Sequence, residues 1–339
     1  MTTDNDFVSC YDCPEEFDPD DMYLSDWDDN LRCESCHHSH VDDREREEYE
    51  NSREYTYIDN YGEKPSPRFH DEDGNNSYYV RYIDGSDHVT PLYMGMEVEV
   101  ERTRHGESLD DAACAVRTMC GMNVVYCKED GSLSDGFEIV THPGTLGFFM
   151  DRFRWDGISQ LKQMGFSSWN ARSCGLHIHM SRSAFTGVRH MTSFIHFLYT
   201  NRYPMVRFAG RESTYASWSK DTLLNAYNDW STDDVRRPSI AKFVKDEQRN
   251  NERYTAVNLR NRDTIELRFF RPSLNTDTLK AALQLCDAAH QYTNVLTVRD
   301  MAVNNALGFK SFRSWLDTQG DKYQILSNRI DARCAEDLI

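Results

Sequence analysis

Nowhere in the 339 residues does an apolar run approach the roughly 18–20 residues that a membrane-crossing helix needs, and the mean hydropathy is −0.72. No membrane span is expected. Lysine is scarce: none of the nine follows a glycine, so there is no G-x-x-x-x-G-K-[ST] phosphate loop, and no G-x-G-x-x-G is present either. A bound nucleotide would have to be held by other means. Positive charge is also in deficit, with 38 Lys+Arg against 56 Asp+Glu, a net of −18, which disfavours nucleic acid or an anionic lipid surface as a partner. Met1 to Asp6 is polar and acidic, without a basic start or an apolar stretch, so no secretory leader is read there and the cytoplasm is the expected location.

What is abundant is acid, and it is concentrated. Residues 1–76 hold 24 acidic and 6 basic side chains, which accounts for the whole imbalance. Asp42 to Asp73, with DDREREEYE, KPSPR and DEDGNN in succession, reads as a solvated linker. The expected organisation is a small module over 1–41, an acidic linker over 42–77 and a large domain over 78–339. In the first module Cys10/Cys13 and Cys33/Cys36 form two Cys-x-x-Cys pairs 19 residues apart, the spacing of a structural Zn2+ site. Two such turns close a tetrahedron with no open position for chemistry. Zinc binding worth about 10–16 kcal/mol in small peptides would fold an acidic segment with little core. His37, His38 and His40 follow directly and could replace one thiolate, which leaves the fourth ligand open.

From about Tyr78 the pattern alternates between period two and helical period, which predicts one α+β domain. Helices are expected over 108–121, 145–164, 187–202 (stopped by Pro204) and 276–298, as scaffold, with His190, His196 and His290 as surface or satisfied core residues. The chemistry lies in four strands that keep one face apolar. In Leu92 to Glu101, Met94, Met96, Val98 and Val100 alternate with Glu97, Glu99 and Glu101. Gly136 to Val140 sets Glu138 against Phe137 and Ile139, just after the loop that holds Glu129 and Asp130. Gly175 to Met180 carries His177 and His179 on one face, and Thr264 to Phe270 carries Glu266 and Arg268. Same-face neighbours lie about 6.6 Å apart, so such carboxylates repel unless water or a cation intervenes. Side by side in an antiparallel sheet, the four polar faces would form one surface suited to Mg2+ or Mn2+, with an Arg for a carboxylate or phosphate. ATP bridged by two such metals is the economical ligand.

MGMEVE (94–99), EDGSL (129–133) with GFEIVTHP (136–143), CGLHIHMS (174–181) and IELRFFRP (265–272) resemble, in order, the four motifs of the amidoligase family. That family is a branch of the carboxylate–amine ligases with the glutamine synthetase and glutamate–cysteine ligase fold. The resemblance spans roughly Tyr93 to Val298. It implies a mostly antiparallel, curved sheet of the glutamine synthetase catalytic type packed with helices, and an ATP-dependent ligase forming an amide through an acyl phosphate from carboxylate and amine substrates, one of them possibly a peptide or protein. It also implies metal ligation by Glu97, Glu99, Glu138, His177 and Glu266, with His179, Arg268 and Asp130 near nucleotide and substrate. Two other readings compete: a metal-dependent hydrolase, since His-x-His with carboxylates also serves hydrolysis, and an inactive body acting as a zinc-module adaptor. Segments 215–237 and 236–253 are candidates for covering the site, and Arg253, Arg260 and Arg262, which precede the Glu-x-Arg strand, could reach phosphates.

Overall fold

All four alternating segments are strands. The computed structural model describes residues 8–17, 22–24, 30–39, 56–78, 90–169, 174–213, 216–218, 255–303 and 305–338, and the chain divides into units Met1–Thr56 and Tyr57–Ile339. In the first unit, β1 (Val8–Ser9) pairs with β2 (Glu16–Phe17) and β3 (Met22–Leu24) with β4 (Leu31–Cys33), both antiparallel. Among its described residues the buried ones are Cys10, Arg32 and Cys33. Arg32 is 2% exposed, ion-paired to Asp12 at 2.5 Å and stacked 5.2 Å from the centre of the Tyr11 ring. That is too little apolar surface to hold a fold by burial alone.

The second unit begins inside the stretch read as linker. Strand β5 (Ile58–Asp59) joins the main sheet, and the hairpin β6 (Phe69–His70) and β7 (Asn76–Ser77) bridges to it through His70 and Gly144. A two-residue strand needs only one inward apolar side chain, here the buried Ile58, and acidic composition hides so short a signal. Residues 40–55 of that stretch, with His40, lie outside the described residues, as do 219–254, which contain most of both candidate covers and Arg253.

There follow β8 (Met94–Arg102), α1 (Leu109–Cys120), β9 (Val125–Lys128), β10 (Gly136–Thr141), α2 (Leu146–Asp151), α3 (Asp156–Gln160), β11 (Phe166–Ser167), β12 (Leu176–Ser181), α4 (Val188–Thr200), α5 (Arg202–Ala209), β13 (Val257–Asn258), β14 (Thr264–Phe270), α6 (Thr276–Val295), α7 (Val298–Val303), α8 (Phe309–Asp317) and α9 (Gln324–Arg333). The strand order is β13-β14-β12-β8-β10-β9-β5, with β11 also paired to β8. Every pairing is antiparallel except β5 with β9, so the sheet is mixed. The four motif strands are consecutive neighbours. Their apolar faces, including Met94, Met96, Val98, Phe137, Ile139, Leu176, Ile178, Ile265 and Leu267, are sealed from solvent at 0–1% exposure. Gly136 is obligatory at its position, since a Cβ there would lie 2.0 Å from the Val100 carbonyl oxygen of the adjacent strand.

Helix boundaries follow local chemistry. In α1 the Ser108 hydroxyl accepts from Asp111 N–H at 3.1 Å, and Gly121, at φ 116°, closes the far end. The helix expected over 145–164 is two. Arg152 and Phe153 both donate to the Phe148 carbonyl, and the Trp155 indole donates to Phe149 O at 2.8 Å, so α2 stops there and the chain restarts as α3. Pro204 does not end a helix; it sits in the first turn of α5, where its missing N–H costs no hydrogen bond. The last expected helix ends at Val295 rather than 298 and is capped by Asn275.

His190 and His290 are buried against each other, with rings 4.4 Å apart. His190 Nε2 donates to the His290 carbonyl at 2.9 Å, its Nδ1 accepts from Thr186 N–H, and His290 Nε2 donates to Ala184 O at 3.1 Å. Both rings are therefore neutral. Burial, aided by the neighbouring ring, pushes His190 down to about 4, and burial lowers His290. Between the ordinary histidine value near 6.5 and about 4 the unfolded chain binds protons that the folded one does not, so stability is full above about pH 6.5 and falls as pH drops towards 4. Thermal unfolding should show Tm decreasing from pH 7 to pH 5, with a shallower decrease in His190→Asn; an unchanged slope would contradict this role.

Candidate metal centre

Register places the polar side chains. Directly opposed residues in an antiparallel pair share a face and lie about 5 Å apart. Glu97 on β8 opposes His177 on β12; Glu99 opposes Glu138 on β10; Glu138 in turn opposes Lys128 on β9; His179 opposes Glu266 on β14. The result is one continuous polar surface across five strands.

Side-chain distances close the cluster. His177 Nδ1 lies 3.2 Å from Glu97 Oε2 and 3.6 Å from Glu266 Oε1, and its Nε2 lies 3.9 Å from Glu99. His179 Nε2 is 3.1 Å from Glu97 Oε1, with its Nδ1 3.2 Å from the Thr264 hydroxyl. Three sets of ligand atoms lie mutually within 4.8 Å: Glu97, His179 and Glu266; Glu97, Glu138 and His177; Glu99, Asp130 and Glu138. Glu97 and Glu138 are each shared by two sets. Arg268 is in none of them; it donates to Glu266, and its Nε is buried without a hydrogen bond.

Electrostatics explain why such a cluster suits a cation. Glu99 and Glu138 face each other at 4% and 1% exposure, a like-charged buried pair that costs several kcal/mol unless neutralised. Burial pushes Glu99 up; burial together with Glu97 pushes Glu138 well above the usual carboxylate range against the pull of Lys128. For Glu97 and Glu266 burial is outweighed by the two imidazoles, which hold both below that range. His179 is correspondingly raised, Glu97 and Glu266 outweighing its burial. Glu138 Oε2 and His179 Nε2 are buried yet make no hydrogen bond of good geometry, despite Lys128 Nζ at 2.7 Å from the former. Hard oxygen donors with one or two imidazoles fit Mg2+ or Mn2+.

The structure also brings in residues that the strand pattern does not announce. Lys128, 8% exposed, is the cation beside Glu138 and belongs to a four-residue strand too short to show a period. Asn258 Nδ2 donates to Glu266 Oε2 at 2.7 Å. Arg211, lowered by burial, donates to Phe270 O and lies close enough to Glu99 to feel its charge. Gly175 N–H donates to Glu99, and a Cβ on Gly175 would meet His177 Nε2 at 2.8 Å and Arg211 at 3.1 Å. By contrast Glu101 and Glu129 join no ligand set, and Arg260 and Arg262 are exposed.

The four N-terminal cysteines converge as well, with sulfur atoms within 4.8 Å of one another. Cys33 N–H points at Cys10 Sγ at 3.4 Å; although burial raises Cys10, this and the neighbouring backbone N–H groups bring it down to about 6. Cys36 is pushed up to about 12, first by the Cys33 thiol beside it. Four thiolates cannot share that space without a cation, which is compatible with zinc.

The strands and cluster together form an α+β domain whose polar face gathers groups that could hold metal ions. Residues 125–290, just under half of the chain, match the family model described as "Putative amidoligase enzyme". The match contains Glu138, His177, His179, Glu266 and Arg268 and begins after the strand that carries Glu97 and Glu99. No curated protein matches. Among solved structures, a bifunctional glutathione synthetase from Pasteurella multocida aligns with a TM-score of 0.38 at 12% identity, over 71% of this chain and 46% of that one. This chain thus spans less than half of that protein's length, and a likeness of that size says nothing about activity.

Lys128 provides a test of the cluster's charge balance. Without bound metal, Lys128→Met should destabilise the protein by about 3–5 kcal/mol, because it strands a buried carboxylate, and adding Glu138→Gln should restore most of the loss. Urea unfolding of both variants measures this; a double variant as unstable as the single one would show that Lys128 acts by packing.

Proposed function

We propose that the protein is an ATP-dependent carboxylate–amine ligase that forms an amide through an acyl phosphate, on a sheet of the glutamine synthetase catalytic type. The observation that supports this most is the sharing of Glu97 and Glu138 between neighbouring ligand sets, with Arg268 alongside and no glycine-lysine phosphate loop in the chain. Glu97, Glu99, Glu138, His177 and Glu266 would hold two Mg2+ or Mn2+ ions, with Asp130 and His179 completing the sets. Such ions would supply positive charge to screen that of a phosphoryl group in transfer.

The remaining work falls to the chain's own groups. Two anions, a carboxylate and a triphosphate, must be brought together, and fixed cations lower that repulsion while setting the line of attack. Arg268 is positioned for this: Glu266 anchors one end of its guanidinium and its Nε is still available. Arg211 adds a second, half-buried cation near Glu99. His179, held between Glu97 and the Thr264 hydroxyl, stands at the edge of the cluster where an incoming amine could be oriented. The N-terminal unit is read as a structural zinc module, held by Cys10, Cys13, Cys33 and Cys36 rather than by a histidine.

Purified protein with Mg2+ and ATP should release ADP only when both a carboxylate and an amine are supplied, and 18O in the carboxylate should appear in the released phosphate. Glu266→Gln, which keeps the side-chain volume and an acceptor oxygen while removing the charge, should abolish turnover, with circular dichroism close to that of the parent. Hydrolysis without ATP would contradict the ligase reading. For the zinc module, one Zn2+ per chain should be found by elemental analysis and lost in Cys33→Ser; a metal-free parent protein would overturn that assignment.

A further inference from the structure

A cavity of about 390 Å3 opens beside the metal centre and has no role in the reading so far. It lies within the larger unit and is lined chiefly by Arg68, Tyr78, Arg117, Tyr126 and His142. Tyr126 on β9 opposes Val140 on β10, which opposes Glu97 on β8. Tyr126 is therefore on the ligand face of the sheet, two strand spacings or about 10 Å from Glu97. The cavity and the cluster are neighbours on one surface.

Its walls have a definite chemistry. The Tyr126 and His142 rings lie 5.5 Å apart and form one aromatic side. Arg68 N–H donates to His142 Nδ1 at 3.3 Å, so the neutral ring carries its proton on Nε2, a donor. The Arg68 guanidinium lies 4.6 Å from the centre of the Tyr78 ring, with no carboxylate in ion-pair range among the described residues. Arg117 is already committed to Tyr57 O at 3.0 Å and to Asp59 at 3.6 Å, and among the described residues Asp59 is the only acid in the lining. What the cavity offers a ligand is one unpaired guanidinium, hydroxyl and imidazole donors, and flat apolar walls. That complements an organic anion.

Position distinguishes it from a triphosphate site. Arg268 and Arg211 flank the cluster on the β12–β14 side, whereas the cavity adjoins β9, across β8 from them. Two anionic ligands can thus reach the cluster from opposite sides. We propose that the cavity seats the carboxylate substrate, an elongated organic acid with an anionic group at each end. One end pairs with Arg68, the body lies along Tyr126 and His142, and the other end reaches the carboxylate and imidazole cluster to be activated. This rests on the ligase reading for the fate of that second end, but the binding site itself can be tested separately.

Calorimetric titration with Mg2+ present, using suberate, octanoate and succinate as probes, measures it. Suberate should bind at least tenfold more tightly than octanoate, which lacks the second anion, and than succinate, which is too short. Arg68→Ala should reduce suberate to the octanoate level while leaving Mg·ATP affinity within twofold. Tyr126→Phe, which keeps the ring and removes only the hydroxyl, should weaken suberate severalfold and serves if Arg68→Ala does not fold. Equal binding of suberate and octanoate, or loss of Mg·ATP rather than suberate in Arg68→Ala, would overturn the proposal. If the parent protein fails to bind Mg·ATP but retains Arg68-dependent suberate binding, the ligase reading fails and the site stands.

Discussion

Two buried carboxylates, Glu99 and Glu138, oppose each other across adjacent strands, and the polar face of the sheet is arranged around that unfavourable pair. Left alone it would push the strands apart or take up a proton. The fold tolerates it because the strands are fixed from the other side: Val98, Val100, Phe137 and Ile139 are fully buried, and Gly136 lets the backbones approach where any side chain would collide. Apolar packing thus holds charges at separations they would not choose. Lys128 neutralises part of the excess, the imidazoles of His177 and His179 another part, and the remaining donors are of the kind that could hold a hard cation.

The same constraint separates the two ends of the site. Arg268 and Arg211 approach from the β12–β14 side, and the cavity with Arg68 adjoins β9, so the carboxylate cluster lies between two cationic zones. The proposed ligase reaction, which would join two anions before an amine attacks, would call for this: charge of one sign at the centre to hold metal, and of the other sign at either flank to hold the reactants. The N-terminal unit follows a different logic. Its only buried described residues are two cysteines and an ion-paired arginine, too little core to hold a fold by burial, which is why a structural zinc ion is proposed for it.

Much of this was legible because a β-strand reports its two faces separately. Met94, Met96, Val98 and Val100 alternating with Glu97 and Glu99 fix both the burial and the chemistry of one strand, and Thr264–Phe270 has the bounds its pattern predicts. Ser108 and Gly121 mark α1 for equally local reasons. What the pattern could not reveal was of two kinds. Short elements carry no period, so β5, β6 and Lys128 on the four-residue β9 were hidden within acidic or mixed sequence. Interruptions made by tertiary contacts, such as the Trp155 indole taking the Phe149 carbonyl, leave the helical spacing of Phe149, Phe153 and Leu161 intact while breaking the helix. Arg211 and the cavity around Tyr126 arise from folding together segments far apart in the chain, with no local signature.

A crystal soaked with Mn2+ and a non-hydrolysable ATP analogue tests the central claim most directly, through the anomalous signal of the metal. Peaks within about 2.0–2.3 Å of oxygen or nitrogen atoms from Glu97, Glu138, His177 and Glu266, bridging the analogue's phosphates, are predicted. Manganese absent from the cluster, with the Lys128 ammonium and the two imidazoles still filling the space between the carboxylates, would contradict it.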